Sequence, residues 1–252
     1  MRVSLGADRK EEIMADTQRL DKVLSNSGFG SRKDIKKMVR AGEVQVDGKI
    51  VKDSSMHTDP YQQEIVVSGQ LLEYKAFVYL MMNKPAGVIS ATWDKYDKTV
   101  IDLVPMTYRH FELFPVGRLD KDAEGLLLIT NDGKLSHQLL SPKKHVPKTY
   151  YVKIEGEVTV TDIDAFKQGV VLEDGYKTMP AALEILEADS QSKIHITIME
   201  GKFHQVKRMF EAVGKKVIYL KRIRMGNLAL DENLALGECK ELNQSAIDRI
   251  IF

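Results

Sequence analysis

The sequence predicts an α+β protein in which a small α/β module precedes a larger domain built on a mixed, largely antiparallel sheet. Residues 17–68 combine two short segments of helical periodicity with a hairpin signal, and residues 77–252 contain several strand-like segments in succession. Consecutive strands favour antiparallel pairing over the regular alternation of a βαβ barrel. In addition, 43% of the residues are hydrophobic and 29% are charged, which is typical of a soluble globular protein with a sizeable core.

The small module begins with two short helices. The first has an apolar stripe at positions i, i+3 and i+4, and Asp16 or Thr17 is its predicted N-cap. Ser31 begins the second helix, because Asp34 follows it at the spacing of a capping box. Gly42 is placed to end that helix, since glycine readily adopts the left-handed conformation of a helix C-terminus.

The second helix has a strongly basic face. The chain as a whole has a net charge of only +1, yet five basic residues and one acid lie between Ser31 and Gly42. Such a local cluster can bind nucleic-acid phosphates even on a nearly neutral protein, although a solvated helix face has the same composition. The basic residues are Arg32, Lys33, Lys36, Lys37 and Arg40.

A hairpin and one further strand complete the module. Asp47-Gly48 interrupts an alternating apolar segment, which is a strong hairpin signal, and residues 64–67 form the last predicted strand. We therefore predict four segments: a tail over residues 1–16 that is disordered or an extension, the module over 17–68, a linker over 69–76, and the larger domain over 77–252.

The composition disfavours several classes of protein. Cys239 is the only cysteine, so the chain has no internal disulfide framework, and the six histidines lack metal-ligand spacing. No apolar stretch approaches the roughly 20 residues of a membrane span. The N-terminus lacks the apolar core of a secretory signal. We therefore expect a cytoplasmic protein that is cofactor-free or only weakly metal-dependent.

The larger domain contains a short loop with three acids, in the segment PVGRLDKDAEGLLLITNDG. Asp120 has apolar neighbours and is expected to be partly buried, so its carboxylate needs a charged or hydrogen-bonding partner. Asp122 and Glu124 are interpreted as surface charges of the loop. Strands are predicted at 77–84, 125–131, 149–158, 181–188 and 194–199, and helices at 134–140, 160–170 and 203–214.

Five segments together resemble two known families. RLDKVLSNSGFGSRKDIKKMVRAGEVQVDGKIV resembles the S4 RNA-binding domain. In the larger domain, GRLDKDAEGLLLITNDG resembles the catalytic motif of the ribosomal small subunit pseudouridine synthase A family. YLMMNKPAGVIS, KTYYV and EGKFHQVKRMFEAVG match further motifs of that family, in the same order along the chain. Each segment alone is weak evidence, whereas their common order is specific.

The resemblance assigns roles to individual residues. It implies that Asp120 is the catalytic carboxylate, that Tyr150 stacks on the uracil ring, and that Lys207 is the cation that keeps Asp120 ionised. The family often has arginine in place of Lys207, so the ion pair here need not be bidentate. RNA contacts are expected from the basic helix of the small module and from Lys84, Arg118, Lys202, His204 and Arg208; for Lys84 the alternative is simply the end of a strand, and for Arg118 it is support of the catalytic loop.

The implied activity is the isomerisation of one uridine of 16S, small-subunit ribosomal RNA to pseudouridine, by a monomer acting on free RNA or on a 30S assembly intermediate. The reaction breaks N1–C1′ and forms C5–C1′ without a redox change, so no cofactor is needed. Asp120 could add to the pyrimidine, attack C1′, or take a proton in forming a glycal. The alternatives are a synthase for a 23S uridine, a non-catalytic RNA-binding or ribosome-assembly protein, and a glycosidase-like hydrolase that pairs Asp120 with a neighbouring acid.

Overall fold

The computed structural model describes residues 17–251, except for the side chains of Gln244, Arg249 and Ile251. The predicted tail, with Asp16 at its end, and Phe252 lie outside the described residues. The chain divides into two compact units, one ending at Ala76 and the other beginning at Phe77. Within residues 17–251, no helix combines the length and the apolar character that crossing a membrane requires.

The first unit packs two helices on a small antiparallel sheet. The apolar faces of both helices and the inner faces of the central strands form one buried cluster, which includes Leu20, Ile35 and Val44. Its sheet has the strand order β3-β2-β5-β6, and β1 pairs separately with β4. The elements are β1 Gln18–Arg19, α1 Leu20–Asn26, α2 Arg32–Ala41, β2 Val44–Val46, β3 Lys49–Ile50, β4 His57–Thr58, β5 Ile65–Val67 and β6 Gln70–Leu71.

Short-range sequence patterns correctly predict the positions of most of these elements. The Ser31 hydroxyl accepts the Asp34 backbone N–H at 3.3 Å, and Gly42 ends α2 with a φ of 87°, so both predicted caps are confirmed. Asp47 and Gly48 both have positive φ and connect β2 to β3. The predicted cap at Thr17 is wrong, because the residues after it pair with β4 and delay the helix to Leu20.

The second unit is built on one large mixed sheet with the strand order β11-β12-β10-β13-β9-β7-β15. Neighbours along this order are antiparallel except β13 and β9, which run parallel, so the predicted α+β class with a mixed, largely antiparallel sheet is confirmed. The elements are β7 Tyr79–Lys84, β8 Phe114–Pro115, β9 Glu124–Thr130, α3 Gly133–Leu140, β10 Lys148–Glu155, α4 Val160–Gln168, β11 Ala182–Glu187, β12 Gln191–Ile198, α5 Gln205–Glu211, β13 Lys216–Met225, β14 Leu228–Ala229, β15 Cys239–Glu241 and α6 Gln244–Ile251.

The central strand β13 is missing from the sequence prediction. Its sequence, KVIYLKRIRM, interleaves basic and apolar residues, a pattern that an exposed basic segment can also have. In the structure it pairs with β10 on one side and β9 on the other, and Arg222 in its middle is only 2% exposed. The strand lies directly beside the loop that contains Asp120, because β9 begins where that loop ends.

Candidate active site

Asp120 lines a cavity of about 400 Å³ in the second unit. This volume lies within the range of small-molecule sites, roughly 300–1,000 Å³. The loop between β8 and β9 supplies one wall, β10 and β13 supply the floor, and the segment before α5 supplies another wall. The lining side chains used below are those of Asp120, Lys148, Tyr150, Glu200, His204 and Arg222.

The Asp120 loop is held from below by a buried lysine. Lys84, at the end of β7, is fully buried, and its Nζ donates to the backbone oxygens of Pro85 at 3.0 Å, Asp120 at 3.0 Å and Ala123 at 2.7 Å. Burial lowers the pKa of Lys84 to about 8, while the charge of nearby Asp122 opposes that shift. The predicted contact of Lys84 with RNA phosphate is therefore wrong, because the side chain is enclosed by the loop that it supports.

Lys207 connects Asp120 to α5. Its Nζ lies 3.2 Å from Asp120 Oδ2 and 2.7 Å from Asp122 Oδ1, so one ammonium serves two carboxylates. Burial lowers the pKa of Lys207, but the hydrogen bond to Asp122 and the charge of Asp120 outweigh burial and raise it. Lys207 is thus charged at neutral pH, and the predicted pairing of Asp120 with Lys207 is present. His204 Nε2 lies 3.7 Å from the other oxygen, Oδ1.

The neighbouring acids are more than solvated loop charges, so our interpretation of them needs correction. Asp122 is largely exposed, yet both of its oxygens accept from Lys207, and this hydrogen bond lowers the pKa of its carboxyl. Glu124 is the first residue of β9 and accepts the Tyr219 hydroxyl at 2.7 Å. Both acids therefore attach the C-terminal end of the Asp120 loop to neighbouring elements.

A glycine allows this loop to lead directly into the central strands. Gly125 has a φ of +101° and lies opposite Arg222 in the parallel ladder between β9 and β13. A Cβ at Gly125 would lie 2.2 Å from the backbone oxygen of Arg222, so any side chain at this position would clash with that oxygen. The close approach of these two strands places the Asp120 loop against the cavity floor.

Tyr150 lies on the floor of the cavity, in β10. It is 7% exposed and directly opposes Arg222 across the antiparallel pair of β10 and β13, so the two side chains share one face of the sheet. Lys148 is two residues earlier in β10 and lines the same cavity. An aromatic ring on the floor and a carboxylate on the wall can hold a flat base beside its sugar.

Apart from Lys84, the predicted RNA-binding residues fall into three groups in the structure. The first group lines the cavity together with Asp120 and consists of Arg118, Lys202 and His204. Arg208 points elsewhere and forms an ion pair with Asp174, which places it outside the cavity lining. The basic residues of α2 belong to the first unit and are all exposed; they are Arg32, Lys33, Lys36, Lys37 and Arg40.

Several residues of the site received no role from the sequence. Glu200 holds one wall together, because its carboxylate accepts from the Tyr176 hydroxyl, the Met179 backbone N–H and the Gln205 side chain. Lys148 and Arg222 were also missed. Lys148 and Glu200 could have been found from the sequence, because both lie inside motifs that resemble those of the pseudouridine synthases. Nothing in the sequence distinguishes Arg222 from the other basic residues of its strand.

Comparison with known protein families identifies both units. Residues 78–212 match the family model of RNA pseudouridylate synthases, and residues 18–60 match that of the S4 domain. A solved structure described as a pseudouridylate synthase superposes with a TM-score of 0.66 at 36% identity, covering 92% of this chain and 99% of that one.

Three bacterial relatives illustrate the similarity along the chain. An uncharacterized RNA pseudouridine synthase of Bacillus subtilis is 54% identical over 91% of this chain and 96% of its own length. The ribosomal large subunit pseudouridine synthase B of Bacillus subtilis is 38% identical, covering 92% of this chain and 95% of the relative. The ribosomal small subunit pseudouridine synthase A of Yersinia pestis is also 38% identical, covering 91% and 96% respectively.

Proposed function

The chain belongs to the RNA pseudouridylate synthase family, with an S4 domain at its N-terminal side, and we propose that it isomerises one uridine of 16S ribosomal RNA to pseudouridine. The observation that carries the proposal is the carboxylate of Asp120, which lies 3.2 Å from Lys207 in a cavity that Tyr150 also lines. The site is formed within one chain, which suits a monomeric cytoplasmic enzyme that acts on RNA.

The proposed chemistry requires a charged carboxylate and a well-held base. As N1–C1′ breaks, its electron pair passes to N1; C1′ then bonds to C5, the C5 proton is released to solvent, and N1 takes up a proton, so the product is an isomer of the substrate. Asp120 acts by adding to the pyrimidine, by attacking C1′, or by taking a proton on the way to a glycal, and each path needs the ionised form. Lys207 Nζ places a positive charge 3.2 Å from Oδ2 of that carboxylate.

Tyr150 and the basic residues provide binding in this proposal. Stacking of a base on an aromatic ring contributes on the order of 1–3 kcal/mol. The target uridine must leave its own stack to reach the cavity, which costs a few kcal/mol. Contacts of RNA phosphates with Arg118, Lys202 and the exposed basic residues of α2 offset that cost.

The test measures tritium release from RNA labelled at uridine C5. We expect Asp120→Asn to reduce release at least about 10³-fold, because the amide can neither attack nor take a proton. Asp122→Asn is the matched control: it removes an acid two residues away, and because the Asp122 carboxylate is largely exposed we expect a change of less than about fivefold. Equal release by Asp120→Asn and wild type would remove Asp120 from the mechanism, and no release by any protein on any ribosomal RNA would favour a non-catalytic RNA-binding role.

The identity of the RNA is tested separately. The small-subunit proposal rests on the segment KFHQVKRM and on the relatives named for the small subunit, but a relative named for the large subunit is equally similar at 38% identity. Purified enzyme should therefore be incubated with 16S RNA, with a 30S assembly intermediate and with 23S RNA, followed by mapping of pseudouridine. A single new site in the 16S RNA is expected, and a site confined to the 23S RNA would replace this assignment.

A further inference from the structure

One end of the cavity contains two basic side chains that no carboxylate of residues 17–251 neutralises. Lys148 is half-buried, and Arg222 is 2% exposed; both line the cavity beside Tyr150. Neither forms an ion pair with a carboxylate of residues 17–251. Burial lowers the pKa of Lys148 to about 8, and the like charge of Arg222 contributes to that shift.

The hydrogen bonds of these two side chains are also incomplete. Lys148 Nζ donates one bond, to the backbone oxygen of Val146 at 2.9 Å, and its other two hydrogens have no partner among residues 17–251. Arg222 Nε donates to the backbone oxygen of Leu126 at 2.8 Å, whereas its buried Nη2 has no partner in the same part of the chain. A buried cation that lacks both an anion and part of its hydrogen bonds is costly unless a ligand supplies them.

The two acids that line the cavity do not meet this need. Asp120 faces Lys207 and His204, and Glu200 accepts three hydrogen bonds from neutral donors on its own wall. The cavity therefore has an acidic side, where the carboxylates are engaged, and a basic side around Lys148 and Arg222 that lacks an anion within the described residues.

We propose that Lys148 and Arg222 form a subsite for a phosphate of the substrate RNA, namely the phosphodiester of the nucleotide whose base stacks on Tyr150. This inference rests on the proposed function, because it takes the Tyr150 ring as the stacking surface. Lys148 supplies the direct donors from its free hydrogens. Arg222, which is 2% exposed in the cavity floor, supplies a guanidinium whose Nη2 has no partner among residues 17–251.

The spacing of the strand supports the target nucleotide itself as the source of the phosphate. Lys148 and Tyr150 are two residues apart in β10, so their Cα atoms are separated by about 6.6 Å on the same face of the sheet. A phosphate group and the base of the same nucleotide are separated by one ribose, which is a comparable span. The same interaction offsets part of the cost of drawing the nucleotide out of its stack.

The experiment compares ligands with and without a phosphate, and it requires no turnover. Uridine, uridine 5′-monophosphate and uridine 3′-monophosphate are titrated into the full-length protein, and dissociation constants are measured by NMR. In the wild type we expect one monophosphate to bind at least about tenfold more tightly than uridine, the effect of one charge-assisted hydrogen bond. Whichever isomer is preferred identifies the side of the nucleotide that faces Lys148.

Two variants make the result specific. Lys148→Met should abolish the preference for the monophosphate while uridine still binds. Lys153→Met should retain it, because Lys153 lies on the same strand but on the opposite face, over the Tyr219 ring. Equal affinities of wild type for uridine and both monophosphates, or a preference that survives in Lys148→Met, would overturn the subsite. Loss of tritium release in Asp120→Asn is independent of either result, so a failure of the subsite is distinguishable from a failure of the proposed activity.

Discussion

Lys84 and Lys148 lie in two strands of the same sheet, and burial lowers the pKa of each to about 8. Their surroundings nevertheless differ. Lys84 is fully enclosed, donates to three backbone oxygens within 3.0 Å, and has the acids of the Asp120 loop nearby. Lys148 donates to one backbone oxygen and faces the like charge of Arg222. The protein itself satisfies the first lysine, whereas the second is left for a ligand.

Two lysines that burial affects alike can therefore have different roles, one in holding the fold together and the other in binding a ligand. A lysine whose donors all reach backbone oxygens holds its neighbours in place, and its removal takes one hydrogen bond away from each of those oxygens. A buried lysine with unused donors and no nearby anion destabilises the free protein, and a bound anion can remove that cost. We therefore expect replacement by methionine to have opposite effects on the free energy of unfolding at Lys84 and at Lys148.

The largest effect is expected from Lys84→Met. Methionine fills a similar volume but donates no hydrogen bond, so the backbone oxygens of Pro85 and Ala123 lose their donor, whereas the Asp120 oxygen still accepts from the Ala123 N–H. We expect the free energy of unfolding to fall by roughly 3–5 kcal/mol. Denaturant unfolding followed by circular dichroism measures this change. A loss below about 1 kcal/mol would show that the loop does not depend on the Lys84 ammonium.

The next effect concerns catalysis at the acidic side of the cavity. Lys207→Met removes the cation beside Asp120, and we expect kcat for tritium release to fall about 10²-fold with little change in KM. Lys207→Arg retains the positive charge and should recover most of the rate. A rise in KM alone, or no recovery with arginine, would assign Lys207 to RNA binding or to a role that arginine cannot perform.

The smallest effect is expected from Lys148→Met, and its sign is opposite to that of Lys84→Met. The pKa of Lys148 is about 8 in the native state and about 10.4 in an unfolded chain, so the unfolded state binds more protons between these values. The charged lysine therefore destabilises the native state fully below about pH 8, and this cost disappears as pH rises towards about 10.4.

We accordingly expect Lys148→Met to stabilise the free protein by about 1 kcal/mol at neutral pH, a value reduced for solvent screening of a half-buried charge. The difference in unfolding free energy between variant and wild type should shrink above about pH 8. Unfolding curves collected across this pH range provide the measurement. A variant that is less stable than the wild type at neutral pH would place an unseen partner at Lys148.

Several parts of the fold were predictable because their causes are local. The cap at Ser31, the left-handed Gly42 and the Asp47-Gly48 hairpin depend on residues within a few positions of each other. The apolar run that became β9 is likewise recognisable from composition alone. Motif resemblance then brought Asp120, Tyr150 and Lys207 into one hypothesis, and the structure places the first and last of these 3.2 Å apart.

Other parts could not be predicted because strand pairing decides them. The basic residues of β13 have the same pattern as an exposed phosphate-binding segment, and only pairing on both edges encloses Arg222. Lys84 was expected to contact RNA phosphate for the same reason, since its enclosure depends on a loop 36 residues away in sequence. Glu124 was interpreted as a loop charge because its partner, Tyr219, lies on a distant strand.

The amino-acid sequence by itself determined the fold class and the short elements with local caps, and its motifs led to the proposal that Asp120 is the catalytic carboxylate. Those features follow from periodicity, turn chemistry and motif order, which are properties of neighbouring residues. The tertiary structure alone decided which charged side chains are satisfied and which are not. That distinction separates Lys84 from Lys148, because the cost of a buried charge depends on atoms that the fold brings from elsewhere in the chain.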